Sequence, residues 1–367
     1  MNDTIIVVFS GYNQRAVIAF LRTLVKLKLD YAIVASSEKD VIFDTVYKDK
    51  VSAIRQRKAL EVYDILGIFE QIKTKYNIKK CFVAPTTEAL NRFLLHNKEQ
   101  LEKEDIIIPL VNENLYERLS DKYSFGELCK EYGINTPLFN TDIDKANIPC
   151  VAKPYTYFNK DNIALSPQLI MTSHDKTAFT NTYDVSDFYY QKFISGESFY
   201  LLFYFDKNQR VYKYSQKNIA QQPNGKSIVA AMFADIHNEE ISSAFEKMFK
   251  ALLFRGIVMI EVKEENGKYY MIEANPRFWG PSQLFVDADM NLFEALLFDY
   301  NLIDIEPNLV NDKKAKYLWG GGINQCIENN TDIVYHDISL RQEIKTWNNY
   351  DIYNREDTIN IYKKGNL

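Results

Sequence analysis

Four apolar runs mark the first 112 residues, at positions 5–9, 31–35, 81–84 and 106–110. The first, Ile-Ile-Val-Val-Phe, is continuous, as a strand covered on both faces requires. Between the runs, apolar residues recur at helical spacing: Val17, Phe20, Leu21 and Leu24; Ile65, Leu66, Phe69 and Ile72; Leu90, Phe93 and Leu94. Alternating strands and helices predict an α/β domain with a parallel sheet, ending near residue 112. Residues 113–137 read as one helix ending at Gly133, with Pro137 beyond it. Later patterns are of strand type at 149–154, 188–194, 199–205, 210–214 and 227–233. One helical face follows through Ile241, Phe245, Met248, Phe249 and Leu252. Residues 155–187 are polar and uneven, suggesting a small lobe. The tail from 306 is weakly patterned, with a last strand expected at 359–364.

Two strand-like runs in residues 256–277 flank Asn266-Gly267, a hairpin signal. Val258, Ile260, Val262, Tyr270 and Ile272 are apolar and even-numbered. Glu261, Lys263, Glu273, Asn275 and Arg277 are polar and odd-numbered. A two-residue loop would pair odd with even positions and put the two glutamates on opposite faces. A three-residue loop over 265–267 pairs odd with odd, so it is the expected register, with Glu261 diagonal to Glu273. Neighbouring carboxylates repel by about 4 kcal/mol at a protein-like dielectric. Two of them beside an Asn oxygen suit a hard divalent ion, magnesium, with manganese as the alternative. An Arg two residues on could hold a phosphoryl group or a carboxylate.

Glu261 followed by Glu273-Ala274-Asn275-Pro276-Arg277 resembles the metal-binding end of ATP-grasp enzymes. The resemblance extends over about residues 113–300. Ser120-Asp121-Lys122 is similar to the opening of such modules, Val151-Ala152-Lys153-Pro154 to their second ATP lysine, and Gln191–Glu197 to their adenine hinge. It implies an N-terminal parallel-sheet α/β domain (1–112), then a two-lobed ATP-grasp module with antiparallel sheets, its small lobe at 113–190 and its nucleotide and metal lobe at 191–305. A C-terminal segment (306–367) has no assigned role. It also implies site residues. Lys122, Lys153, Gln191, Lys192, Phe193, Ile194, Glu197, Lys217 and Ser227 would bind ATP, with Lys217, Lys226 and Ser227 on a loop closing over the triphosphate. Glu261, Glu273 and Asn275 would hold the metal, and Arg277, Asn275 and Glu273 would serve catalysis. The implied activity is an ATP-dependent carboxylate–amine ligase working through an acyl phosphate. A carboxylate or carbamate kinase of the carbamoyl-phosphate type and a non-catalytic nucleotide-binding protein are the alternatives.

Other signals narrow this picture. Gly225-Lys226-Ser227 is not a P-loop, because the glycine needed five residues earlier is Ala220 and strand-like residues follow. Ser10-Gly11-Tyr12-Asn13 lacks the further glycines of a dinucleotide fingerprint. Pro85-Thr86-Thr87-Glu88 stands where open α/β sheets bind ligands, although Thr87 also suits a helix cap. Trp279 is a candidate pocket wall. The chain has 367 residues and a net charge of −5, which provides no basic field for nucleic acid. Four scattered cysteines and four scattered histidines make no disulfide framework or zinc site. No apolar run reaches membrane-spanning length, and the N-terminus lacks a basic leader region, so a cytoplasmic protein is expected. The expected partners are a small-molecule carboxylate and an amine, with no nucleic acid and no membrane. A homodimer remains an open alternative.

Overall fold

The apolar runs near the N-terminus become a five-stranded parallel sheet. In the computed structural model, which describes residues 3–156, 159–161, 163–290, 292–310 and 313–363, its strands are β1 (Thr4–Phe9), β2 (Tyr31–Ala35), β3 (Val51–Ile54), β4 (Lys80–Val83) and β5 (Ile106–Ile107), in the order β3-β2-β1-β4-β5. Strand alternation feeds two cores at once. Ile6 and Val8 pack with α1 (Gln14–Lys26), while Ile5, Val7 and Phe9 pack with α2 (Val62–Tyr76) and α3 (Glu88–His96). Short α4 (Lys98–Lys103) leads into β5.

The single helix expected over 113–137 is two helices, α5 (Glu113–Ser120) and α6 (Lys122–Glu131). Asp121 divides them: its carboxylate accepts from the Tyr123 and Ser124 N–H groups and starts the second helix afresh. A four-stranded antiparallel sheet follows, made of β6 (Phe139–Asn140), β7 (Cys150–Pro154), β8 (Gln168–Ile170) and β9 (Phe188–Lys192) in the order β6-β9-β7-β8. The helix α7 (Ser173–Thr182) packs Phe179 against it.

The large sheet comprises β10 (Glu197–Phe205), β11 (Val211–Gln221), β12 (Ile228–Phe233), β13 (Gly256–Glu265), β14 (Lys268–Asn275), β15 (Lys316–Leu318) and β16 (Val334–Tyr335). Its order is β14-β13-β10-β11-β12-β15, with β16 beside β11. Odd residues Phe199–Phe205 of β10 meet α8 (Glu240–Ala251). Tyr200, Leu202 and Tyr204 on the other face join the same core as α1, so the parallel-sheet domain and the large sheet share one hydrophobic interior.

Residues beyond 306 are structural as well as peripheral. They supply β15 and β16, and Trp347, Ile352 and Tyr353 enter the shared core. Arg22 of α1 grips Asp357 through two bonds of 2.8 Å, and Tyr47 donates to the same carboxylate at 2.5 Å. The strand expected at 359–364 is instead a turn of helix at Asn360–Lys363, because buried Thr358 and Ile361 are drawn into a tight i,i+3 turn; Lys364 lies outside the described residues. Among the described residues, no helix is long and apolar enough to cross a membrane.

Candidate active site

The hairpin turns differently from the expectation and reaches the same face. Asn266 and Gly267 have φ of 55° and 74°, and Glu265 pairs with Lys268, which is a two-residue turn. Odd positions therefore pair with even ones next to the turn: Lys263 with Tyr270, Val262 with Met271. Ile272 is then a bulge, one extra residue on β14, and beyond it Glu261 stands directly opposite Glu273 and Met259 opposite Asn275. The bulge restores the parity that the turn lost. It also makes Met271, rather than Tyr270 or Ile272, the apolar residue buried with Val258, Ile260 and Val262.

Each acid is held by donors. Asn275 Nδ2 donates to Glu273 Oε1 at 2.9 Å, and the Lys122 ammonium forms a close ion pair with Glu273 Oε2. Burial would raise the Glu273 carboxyl, but Lys122 beside it prevails and holds it at about 2. Glu261, 7% exposed, is raised above the usual carboxylate range by burial and by the facing Glu273. A file of buried polar residues crosses the sheet to reach it. Gln216 Nε2 donates to Asn218 Oδ1, Asn218 Nδ2 to Ser198 Oγ, and Ser198 Oγ to Glu261 Oε1, each at 2.8 Å. All three are essentially inaccessible to solvent. Sequence reading passed over them; their signal is polar residues at alternate positions along otherwise apolar strand faces. Arg277 donates to Asn275 Oδ1 at 3.0 Å and to the Phe278 carbonyl at 2.9 Å. Its Nε is buried without a hydrogen-bond partner, 3.6 Å from Glu88 Oε2.

Lys153 projects from β7 and donates to the Ile272 carbonyl at 3.0 Å, the carbonyl that the bulge exposes. Burial lowers its ammonium to about 7, and Lys122 adds to the effect against the opposing pull of the two glutamates. Lys122 and Lys153 thus converge from α6 and β7 on the acid pair. Gln191 is buried in the small sheet, paired between Phe139 and Val151. Lys192 reaches outward to Glu265 at 2.6 Å, the Lys263 ammonium lies 5.3 Å from the Phe193 ring centroid, and the Ile194 carbonyl accepts from Lys263 at 3.1 Å. Gly196 lets this connection run against the hairpin, since a Cβ there would fall 1.5 Å from the Glu264 carbonyl oxygen.

Two expected ATP residues face elsewhere. Glu197 and Lys217 share the parity of Phe199, which pairs with Lys217, so they emerge on the sheet face opposite Glu261. There they form an ion pair that Asp337 joins at 3.0 Å. The loop expected at 216–227 is mostly β11, and only residues 222–227 turn. Ser227 lies in that turn and accepts from Arg15 Nη2 at 2.9 Å.

A cleft of about 1010 Å³ opens between the carboxyl ends of the parallel strands and the Glu273–Arg277 end of the hairpin. Ser10, Thr86, Glu88 and Leu90 line one side; Glu273, Asn275, Arg277 and Trp279 line the other. Thr87 caps α3, accepting from the Leu90 N–H, and Glu88 is held by Arg92 at 2.8 Å and Tyr116 at 2.9 Å. Asn13, at φ 49°, pins the two walls together by donating to the Thr86 and Phe278 carbonyls at 2.9 Å each.

The donor set fits a magnesium ion carried by a nucleotide. Two carboxylates and an amide oxygen on one face are hard oxygen donors, and two acids match the small number of protein ligands this ion takes when phosphates complete its shell. Among the described residues, no group of three or more His, Cys, Asp or Glu makes a protein-only cage. Arg277 Nε, which makes no hydrogen bond and faces Glu88 at 3.6 Å, is a donor suited to an anionic oxygen beside Asn275.

Residues 119–281 match the sequence model of the ATP-grasp domain family. No curated protein sequence matches the chain. The N5-carboxyaminoimidazole synthetase of Staphylococcus aureus has a similar fold, with TM-score 0.64 and 16% identity over 90% of this chain and 86% of that one. The biotin carboxylase domain dimer of Hydrogenobacter thermophilus 2-oxoglutarate carboxylase, in complex with MgADP, ADP and bicarbonate, gives TM-score 0.61 and 13% identity over 84% and 71%. Rhizobium etli pyruvate carboxylase gives TM-score 0.63 and 13% identity over 87% of this chain, which spans only 30% of that protein. At these identities the likeness is one of fold.

Proposed function

We propose that the chain, whose residues 119–281 match the ATP-grasp domain family, is an ATP-dependent carboxylate–amine ligase. The observation that carries this reading is the pair Glu261 and Glu273, brought opposite each other by the Ile272 bulge with two lysines on one side and Arg277 on the other.

In the proposed reaction the substrate carboxylate oxygen attacks the γ-phosphorus of ATP. The bond from that phosphorus to the β–γ bridging oxygen breaks, and ADP leaves. The amine nitrogen then attacks the acyl carbon, phosphate departs with the carboxylate oxygen, and the amine gives up a proton. Lys122 and Lys153 grip the nucleotide phosphates. The backbone at 191–194 offers the adenine edge its hydrogen bonds. Glu261, Glu273 and Asn275 would hold magnesium, which would supply charge neutralisation at the transferring group. Lys122, paired with Glu273 here, lies where it can also reach the nucleotide phosphates. Arg277 donates to the acyl phosphate. That the similarly folded Hydrogenobacter domain is a complex with MgADP, ADP and bicarbonate accords with a nucleotide and a small acid as ligands.

The test is ADP release with and without panels of carboxylic acids and amines. Release that requires both supports the ligase. Release with the acid alone, leaving a phosphorylated product, moves the assignment to a kinase. Tight ATP binding with no release in any mixture refutes catalysis.

A further inference from the structure

The cleft beside Glu273 carries more positive charge than one reacting carboxylate calls for. Arg15, Arg55, Lys58, Lys226 and Arg277 all line it, against the acids Glu88 and Glu273. Both acids are engaged, Glu88 by Arg92 and Tyr116 and Glu273 by Lys122. Arg15, Arg55, Lys58 and Lys226 form no ion pair with any acid among the described residues. In a chain of net charge −5, this is a local excess of cations.

Two of them are held in place. The Arg15 guanidinium lies 3.9 Å from the centroid of the Trp319 ring and donates to the Ile228 carbonyl and Ser227 Oγ at 2.9 Å. Gly280 leaves it room, because a Cβ there would come within 2.7 Å of the guanidinium. Arg55 folds its own loop, donating to the Arg57 and Lys58 carbonyls at 3.2 and 2.5 Å. It is partly desolvated, which lowers its affinity for its proton. A desolvated cation with no carboxylate nearby is costly unless a ligand completes it.

We propose that the acceptor carries, besides the carboxylate that is activated, a second oxyanion group of two negative charges, bound by Arg55 and Lys58 with Arg15 and Lys226 closing the side. This rests on the ligase reading and names its substrate class. The reacting carboxylate sits by Arg277 at the metal end, and the second group lies towards β3, where the 55–58 loop projects. The cleft volume accommodates a molecule of that length. A phosphate ester and a dicarboxylate share this chemistry.

The experiment uses the full chain saturated with magnesium and a non-hydrolysable ATP analogue, so that the triphosphate site is filled. Inorganic phosphate and malonate are then titrated separately by calorimetry. Binding of either one, weakened at least tenfold in the double variant Arg55→Gln/Lys58→Gln, supports the proposal, and the tighter of the two identifies the class. The variant's own analogue affinity, unchanged from wild type, shows that it is folded. If the analogue binds and neither anion does, or if both proteins bind the anion equally, the proposal is overturned while the nucleotide reading stands. Failure to bind the analogue at all would remove the ligase reading and this inference with it.

Discussion

Replacing Lys122 by Met tests the electrostatic core of the site. Glu261 and Glu273 are directly opposed on adjacent antiparallel strands, so their side chains lie roughly 5 Å apart. At an effective dielectric of 20, two unit charges at that distance repel by about 3 kcal/mol. Lys122, ion-paired to Glu273 with both side chains 25% exposed, offsets most of that repulsion. Without it the two acids must share a proton or bear the repulsion, and the expected loss of stability is about 1–3 kcal/mol. At roughly 2 °C per kcal/mol for a chain of this size, the melting temperature should fall by about 2–6 °C. Magnesium alone should reverse the loss, because a divalent ion now meets two unpaired carboxylates; in the wild type it competes with the lysine. Thermal melts with and without millimolar magnesium, in the absence of nucleotide, read both effects. Combining Lys122→Met with Glu273→Gln should show a coupling of at least about 1 kcal/mol. An unchanged melting temperature together with an unchanged magnesium response would refute the reasoning.

Four further outcomes are expected. Glu273→Gln should abolish ADP release while preserving the fold, checked by turnover and circular dichroism. Ser198→Ala removes the donor that holds Glu261; a hydrogen bond to a charged group contributes about 1.5–3 kcal/mol, so the magnesium–ATP KM should rise about tenfold or more. Gly196→Ala forces the hinge off the Glu264 backbone, and nucleotide affinity measured by calorimetry should fall at least tenfold. His237 is lowered to about 4 by burial, with Nε2 donating to the Tyr214 carbonyl and Nδ1 accepting from Ser242. Its unfolded form takes up a proton below about pH 6.5 and its folded form does not, so stability falls as pH drops from about 6.5 towards 4. Burial similarly lowers His336 to about 4. Denaturant titrations of His237→Gln between pH 6.5 and 5 should show about half the wild-type slope.

Much of the site could be read from the chain because it depends on local order. The apolar runs at 5–9, 31–35 and 81–84 determine strands covered on both faces wherever they pack, and Glu273-Ala274-Asn275-Pro276-Arg277 places an acid, an amide and a guanidinium at alternate positions of one strand. What joins Glu273 to Glu261 was decided by tertiary structure. A two-residue turn should have set them on opposite faces, and the bulge at Ile272, which also gives Lys153 its carbonyl, returns them to one. That Glu197 and Lys217 emerge on the face opposite Glu261 was hidden for the related reason that a strand's parity does not say which face is which until its neighbours are known. Arg15, Arg55 and Lys58 carried no signal at all, since they line one cleft with Glu273 only once the parallel-sheet domain and the large sheet share a core, as where Arg15 meets Ile228 across more than 200 residues of chain. Local sequence sets the alternation of side chains; long-range packing chooses which alternating faces are turned towards each other.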